Sequence, residues 1–261
     1  TKLFNQIKEY EEKTINNSRI HLFRYAAAIV VAVLLIGGGL FAFLYQSAEI
    51  TTITAMNEVK KVVLPDKSIV WLNKGTTISY AENFDGNERK VNLKGEALFK
   101  VTKNAKKPFI VKSDAASAKV LGTTFNFKGQ AADGKEVISL IEGRLEVTGL
   151  NGEGKVVLHP NQKATINKDS KAITTENSYA PIDAVWHDDM IPFSNMQIKE
   201  IAHILEQLYD YKIIVNSKLD NKRTYTGVIK RSKDIRTILD GLSYTIPFHY
   251  TMNNKEITLT E

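Results

Sequence analysis

The pattern of apolar and polar positions changes twice along this chain. From Tyr25 to Tyr45 (YAAAIVVAVLLIGGGLFAFLY) no residue is charged. As a helix rising about 1.5 Å per residue the run spans about 31 Å, which suits a hydrocarbon core about 30 Å thick. Two other readings compete. A buried core helix ordinarily keeps a polar face. A cleaved signal peptide has a shorter apolar region, although Gln46-Ser47-Ala48 supplies small residues just after the run. Lys8, Lys13, Arg19 and Arg24 crowd the N-terminal flank, while Glu49 and Glu58 precede Lys60 and Lys61 on the other side. Basic excess belongs in the cytoplasm, so residues 25–45 predict a single-pass transmembrane helix with a cytoplasmic tail, 1–24, and the remaining chain across the membrane.

In the tail, Leu3, Ile7 and Tyr10 mark one face of a short helix opposite Glu9, Glu11 and Glu12. So short a helix needs a partner to stay folded. Over residues 50–173 the period becomes two. Val62 and Leu64, Ile78 and Tyr80, Val91 and Leu93, Ala97 and Phe99, Phe125 and Phe127, and Leu145 and Val147 alternate with polar neighbours. Turn chemistry separates these runs: Pro65-Asp66, Asn73-Lys74-Gly75, Asp85-Gly86, Asp133-Gly134, Asn151-Gly152 and Pro160-Asn161. Many short alternating strands predict an all-β domain, a sandwich, barrel or solenoid.

Residues 174–185, polar and carrying Pro181, are expected to be a linker. The period then becomes mixed over 186–261. A strand near Met190–Phe193 is followed by a helix over Met196–Tyr209 capped by Asn195, with Ile198, Ile201, Ala202, Leu205 and Leu208 on one face. Strands at Ile213–Val215 and Thr224–Val228 precede a second helix, capped by Ser232 and carrying Ile235, Ile238, Leu239 and Leu242. Two strands near Phe248–Met252 and Glu256–Thr260 close the chain through an Asn253-Asn254 turn. The order is βαβ-βαββ, an α+β domain.

Composition narrows the chemistry. No cysteine occurs in the 261 residues, so disulfides and thiolate metal sites are excluded. The net charge of +6 comes from lysines scattered among acidic residues, a solvated surface rather than a nucleic-acid footprint. His187-Asp188-Asp189 reads as a polar loop, and Glu200-x-x-His203 as a solvated helix face rather than half of a di-iron site. There is no phosphate loop, no G-x-S-x-G and no H-E-x-x-H, so neither cofactor nor enzyme centre is expected. The chain opens on Thr rather than Met, so it is expected to be a fragment or processed product.

The β region resembles the FecR domain of bacterial membrane-bound anti-sigma factors. The resemblance rests on Leu64-Pro65-Asp66 with Trp71-Leu72-Asn73, on Glu88-Arg89-Lys90-Val91 leading into Leu93-Lys94-Gly95-Glu96-Ala97-Leu98-Phe99, on Pro108-Phe109-Ile110-Val111, on Leu121-Gly122-Thr123-Thr124-Phe125-Asn126, and on Glu142-Gly143. Two positions depart from it: Lys67 and Asn161 stand where glycine is usual, and Lys67 suggests a locally different turn. The C-terminal region is similar to the matching domain of FecR-like proteins from the Bacteroidetes lineage, itself like the short N-terminal domain of secretins and TonB-dependent transporters. Here the matching residues are Trp186, Phe193-Ser194-Asn195, Leu205, Tyr209, Tyr225-Thr226-Gly227 and Ile257-Thr258-Leu259.

The resemblance implies an inner-membrane anti-sigma factor. Its cytoplasmic segment would hold an extracytoplasmic-function sigma factor, and its periplasmic part would sense the signalling domain of an outer-membrane TonB-dependent transporter, with no direct contact to nucleic acid. It also implies self-cleavage at Gly122-Thr123, with Thr123 as nucleophile and Gly122 as acyl donor. The β-rich run holding Tyr225, Thr226, Gly227 and Val228 is a candidate edge for adding a partner strand. The alternative is a membrane protein whose periplasmic β domain binds carbohydrate or cell wall.

Overall fold

The computed structural model describes residues 24–40, 49–84, 86–129, 134–150, 154–219 and 223–261. The chain divides into two compact units, Thr1–Ala48 and Glu49–Glu261. In the first, a helix α1 covers residues 24–40. Among the described residues no helix is long and apolar enough to cross a membrane. Phe41–Tyr45, needed to complete the uncharged run, lie outside the described residues, as do the tail helix and the turn residues Asp85, Asp133, Asn151 and Gly152.

Among the described residues, the second unit opens with fourteen strands. They are β1 (Ile50–Ala55), β2 (Lys60–Val63), β3 (Ile69–Leu72), β4 (Thr76–Ala81), β5 (Arg89–Lys94), β6 (Glu96–Lys100), β7 (Phe109–Lys112), β8 (Ala116–Val120), β9 (Thr124–Lys128), β10 (Lys135–Glu142), β11 (Leu145–Gly149), β12 (Lys155–Leu158), β13 (Gln162–Asn167) and β14 (Ile173–Asn177). They form two seven-stranded sheets, ordered β1-β4-β5-β7-β8-β11-β12 and β14-β13-β10-β9-β6-β3-β2. All neighbours are antiparallel except β5 and β7. The inward residues of both sheets share one core, so the all-β expectation resolves to a sandwich. At its centre Phe99 stacks on Phe125 at 5.0 Å and meets Phe109 edge-on at 6.2 Å. Each such ring, fully buried, contributes about 1.5–3 kcal/mol.

One end of the sandwich is closed by a polar lock. Arg89 is 2% exposed, and its Nη1 pairs with Asp66 Oδ2 at 2.6 Å. Arg89 also donates to the carbonyls of Lys107 and Thr102, each at 2.9 Å, and stands over the Phe109 ring. The buried Ser68 hydroxyl donates to Asp66 at 2.7 Å and accepts from the Thr102 amide at 3.0 Å. Two separated sequence motifs thus meet as one ion pair. The turn between them holds Lys67 at φ 66, and Asn161 lies at φ 63. Both keep the left-handed backbone that glycine adopts most easily, so the Lys67 substitution does not require a different turn.

The expected linker is not one. Thr174–Asn177 belong to β14, paired with β13, and Ala180–His187 form a 3-10 helix with Pro181 in its first turn, where a missing amide costs nothing. β14 is polar because it is an exposed edge strand, which is why its sequence reads as loop. The all-β domain therefore runs to Asn177. The 3-10 helix lies across the outer face of the second sheet, where Ser139, Asn126, Leu98 and Trp71 stand in one cross-strand row. Asp183 accepts from the Ser139 hydroxyl, Trp186 Nε1 donates to Asn126 Oδ1 at 3.3 Å, and His187 meets Trp71 edge-on at 5.2 Å. Side chains three apart eclipse in a 3-10 helix, so Tyr179, Ile182 and Val185 share a second face. That face packs into the C-terminal core.

The C-terminal domain has the expected βαβ-βαββ order: β15 (Met190–Met196), α2 (Ile198–Tyr209), β16 (Lys212–Val215), β17 (Tyr225–Lys230), α3 (Ile235–Ser243), β18 (His249–Asn253) and β19 (Glu256–Thr260). β15 pairs with β17, and a second sheet runs β16-β19-β18. Ile201, Leu205, Ile238, Leu239, Ile257 and Leu259 fill the core between helices and sheets. Two caps differ from expectation. Gln197, not Asn195, precedes α2, and Glu200 accepts from its amide at 2.7 Å. Asn195 instead sits left-handed, φ 56, in a register shift of β15, its side chain accepting from Thr224 Oγ1. Asp234, not Ser232, caps α3 by accepting from the Thr237 amide at 3.0 Å. The Thr237 hydroxyl, which donates to the same carboxylate at 2.6 Å, and then the amide hold the Asp234 carboxyl below its ordinary range.

Candidate functional site

Gly122 and Thr123 join β8 to β9, one of the connections by which the chain crosses from one sheet to the other. Gly122 has φ 152, and a Cβ there would come within 2.6 Å of Lys103 Cα, so the backbones pass too closely for any other residue. The crossing is pinned by Asn104 N–H to Leu121 O at 2.7 Å and Val101 N–H to Thr123 O at 3.0 Å. Thr123 is buried, and its hydroxyl donates to the Arg144 carbonyl at 3.0 Å. An open groove of about 290 Å³, lined by Lys119, Leu121, Arg144, Glu146 and Val157, reaches this peptide from outside. Thr123 and Gly122, expected as nucleophile and acyl donor, are thus fixed side by side at the floor of this groove.

Tyr225, Thr226, Gly227 and Val228 lie in β17, in the other domain. The ring of Phe193 lies over Gly227, so that a Cβ there would meet Phe193 Cζ at 2.8 Å. Tyr225 packs against the C-terminal core. These two positions are structural. Thr226 and Val228 are exposed, Val228 by 56%.

The hydrogen-bond phase of the strand pair sets which amides face out. Arg231 N–H bonds Asp189 O at 3.0 Å, and the register then runs in alternation through Ile191–Ile229 and Phe193–Gly227. The pairs between them turn their backbone groups away from each other. The amides of Thr226, Val228 and Lys230 therefore point to the outer edge of β17. Pro192, opposite Val228, obeys the same phase: it needs no donor outward, and its outward carbonyl accepts from the Tyr179 hydroxyl. Burial pushes that phenol up to about 12. The outer edge of β15 is thus closed by Pro192 and Tyr179. The Ile213 amide of β16 is likewise taken by Glu206 Oε1 at 2.7 Å. Among the described residues, β17 presents its edge without such a block.

No group of three or more His, Cys, Asp or Glu side chains among the described residues could hold a metal ion. His187 Nδ1 lies 2.5 Å from Ala184 O, and Asp189 accepts from the Ser232 amide, so both residues of the His187-Asp188-Asp189 stretch serve the fold. His203 and Glu200 lie on α2, where His203 contacts Glu206 and Gln207.

A sandwich and an α+β module, bridged by a packed helix, define a two-domain, β-rich protein. The sequence pattern of the family described as FecR protein matches residues 50–146, and that described as FecR, C-terminal matches 190–259. Two crystal structures of a putative anti-sigma factor from Parabacteroides distasonis ATCC 8503 are similar to the chain at 30% identity. One covers 82% of this chain and 99% of its own at a TM-score of 0.53, the other 81% and 99% at 0.52. No curated protein matches. The chain belongs to the FecR family of anti-sigma regulators.

Proposed function

We propose that this chain is a single-pass inner-membrane regulator that passes a signal from an outer-membrane TonB-dependent transporter to an extracytoplasmic-function sigma factor. Residues 1–24 would lie on the cytoplasmic side with the sigma factor, and residues 49–261 would meet the signalling domain of the transporter. The observation that carries the reading is the β17 edge, whose outward amides suit a partner strand while the outer edge of β15 and the Ile213 amide of β16 are taken. Each main-chain bond so formed contributes about 0.5–1.5 kcal/mol net. Thr226→Pro removes one outward donor and, within the β15–β17 pair, only the bond that the Asn195 amide donates to Thr226 Oγ1 at 3.1 Å. It is expected to weaken binding of the isolated transporter signalling domain about two- to tenfold. Unchanged binding by a folded variant would contradict strand addition.

Self-cleavage at Gly122-Thr123 belongs to the same proposal. Thr123 Oγ1 attacks the Gly122 carbonyl carbon, the C–N bond breaks, and the hydroxyl proton passes to the Thr123 nitrogen. Water then hydrolyses the ester to a Gly122 carboxylate and restores the Thr123 hydroxyl. The pieces would stay together, because β9 pairs with β6 and β11 with β8 across the cut. Mass spectrometry of incubated residues 49–261 is expected to find fragments ending at Gly122 and starting at Thr123, both absent from Thr123→Val. Intact chain alone after long incubation would refute the step.

A further inference from the structure

The two outer faces of the sandwich differ. The second sheet carries the 3-10 helix, whereas the first sheet is open. The strand registers put Ser79, Asn92, Lys112, Ser117, Thr148 and Lys155 side by side in one row of that open face. The next row carries Lys90, Ile110, Lys119 and Glu146, and Lys94 stands beside Thr77. Glu88 pairs with Lys90 at 2.9 Å and Glu146 with Lys155 at 2.8 Å. Lys94, Lys112 and Lys119 are exposed and have no carboxylate within ion-pair distance among the described residues. Their field is felt nearby. The Glu88 carboxyl is held below its ordinary range first by the hydrogen bond from Lys90, then also by the charges of Lys119 and Lys112. Shallow grooves of about 330 and 660 Å³ meet at Asn92 on this face.

We propose that this lysine-bearing face docks on anionic lipid headgroups. A surface of hydroxyls, amides and unpaired lysines complements a layer of phosphates. The edge strand of the same sheet, β1, begins at Ile50, and the uncharged run ends at Tyr45. The chain between them reaches about 18 Å at most. Ile50, where this edge strand begins, points outward and is 62% exposed. The inference rests on the membrane-anchored reading, but its test does not use the anchor, the sigma factor or the transporter, so the two can fail separately.

Residues 49–261 contain both cores complete and serve as the test protein. Flotation would use phosphatidylcholine vesicles with and without phosphatidylglycerol. Retention is expected on the anionic vesicles alone and is expected to fall steeply with added salt. Lys94→Gln/Lys112→Gln/Lys119→Gln should lower the partition coefficient about fivefold per lysine, about a hundredfold together. Lys212→Gln/Lys218→Gln/Lys233→Gln, an equal charge change on the other domain, should leave it nearly unchanged. Equal retention of the face variant, or equal loss in the control, overturns the proposal. So does a wild type that ignores anionic vesicles yet is captured by polyglutamate, which would assign the face to an acidic protein.

Discussion

At the scale of single residues, the Asp66–Arg89 pair decides how the β domain can vary. Removing one partner leaves a charge inside the fold, which costs about 3–5 kcal/mol, whereas removing both can cost little. Asp66→Ala is therefore expected to destabilise residues 49–261 by that amount, and Asp66→Leu/Arg89→Met to recover most of it in denaturant titration. A double variant as unstable as the single one would contradict the uncompensated charge as the source of the loss. Both residues were visible in the sequence as members of separate motifs, but nothing in periodicity says that two turns so far apart close on each other. Lys67 shows the converse. Its identity departs from glycine while its backbone does not, so residue type alone misjudged the turn.

At the scale of elements, alternation was a sufficient guide wherever a strand has one wet face. β4 and β5 read correctly from sequence because Ile78, Tyr80, Val91 and Leu93 point inward between exposed or half-exposed neighbours. It failed where a polar stretch is structured by what it packs on. The 3-10 helix reads as a linker, yet its three-residue repeat serves two cores at once. A trace was present: Leu98 between Ala97 and Phe99 breaks the period of two, and an apolar residue on an outer face signals a cover. The cover is structurally important. Asp183→Ala/Trp186→Ala removes its contacts to Ser139 and Asn126. Calorimetry should then resolve two unfolding transitions, sandwich and α+β domain, where the native unit gives one. A single unchanged transition would mean the domains are coupled by other contacts.

At the scale of the whole molecule, the two domains between Glu49 and Glu261 are bridged by the packed 3-10 helix rather than hung on a flexible tether, so a load taken by β17 is borne by β15 and passed through that helix to the sandwich. The α+β order and the location of its candidate edge strand were legible in the period, because α2 and α3 each carry one apolar stripe. Which amides face outward was not, since that depends on the hydrogen-bond phase, with Tyr179 and Pro192 closing the outer edge of β15 and Glu206 taking the Ile213 amide of β16. Nor did sequence separate the presented residues, Thr226 and Val228, from Tyr225 and Gly227, which serve the core. The most direct test of the account is amide hydrogen exchange along β17 with and without the transporter signalling domain. Strand addition predicts slowed exchange at Thr226, Val228 and Lys230, with Gly227 and Ile229 little changed because they already bond to β15. Binding that leaves those three amides exchanging at their free rate would contradict it.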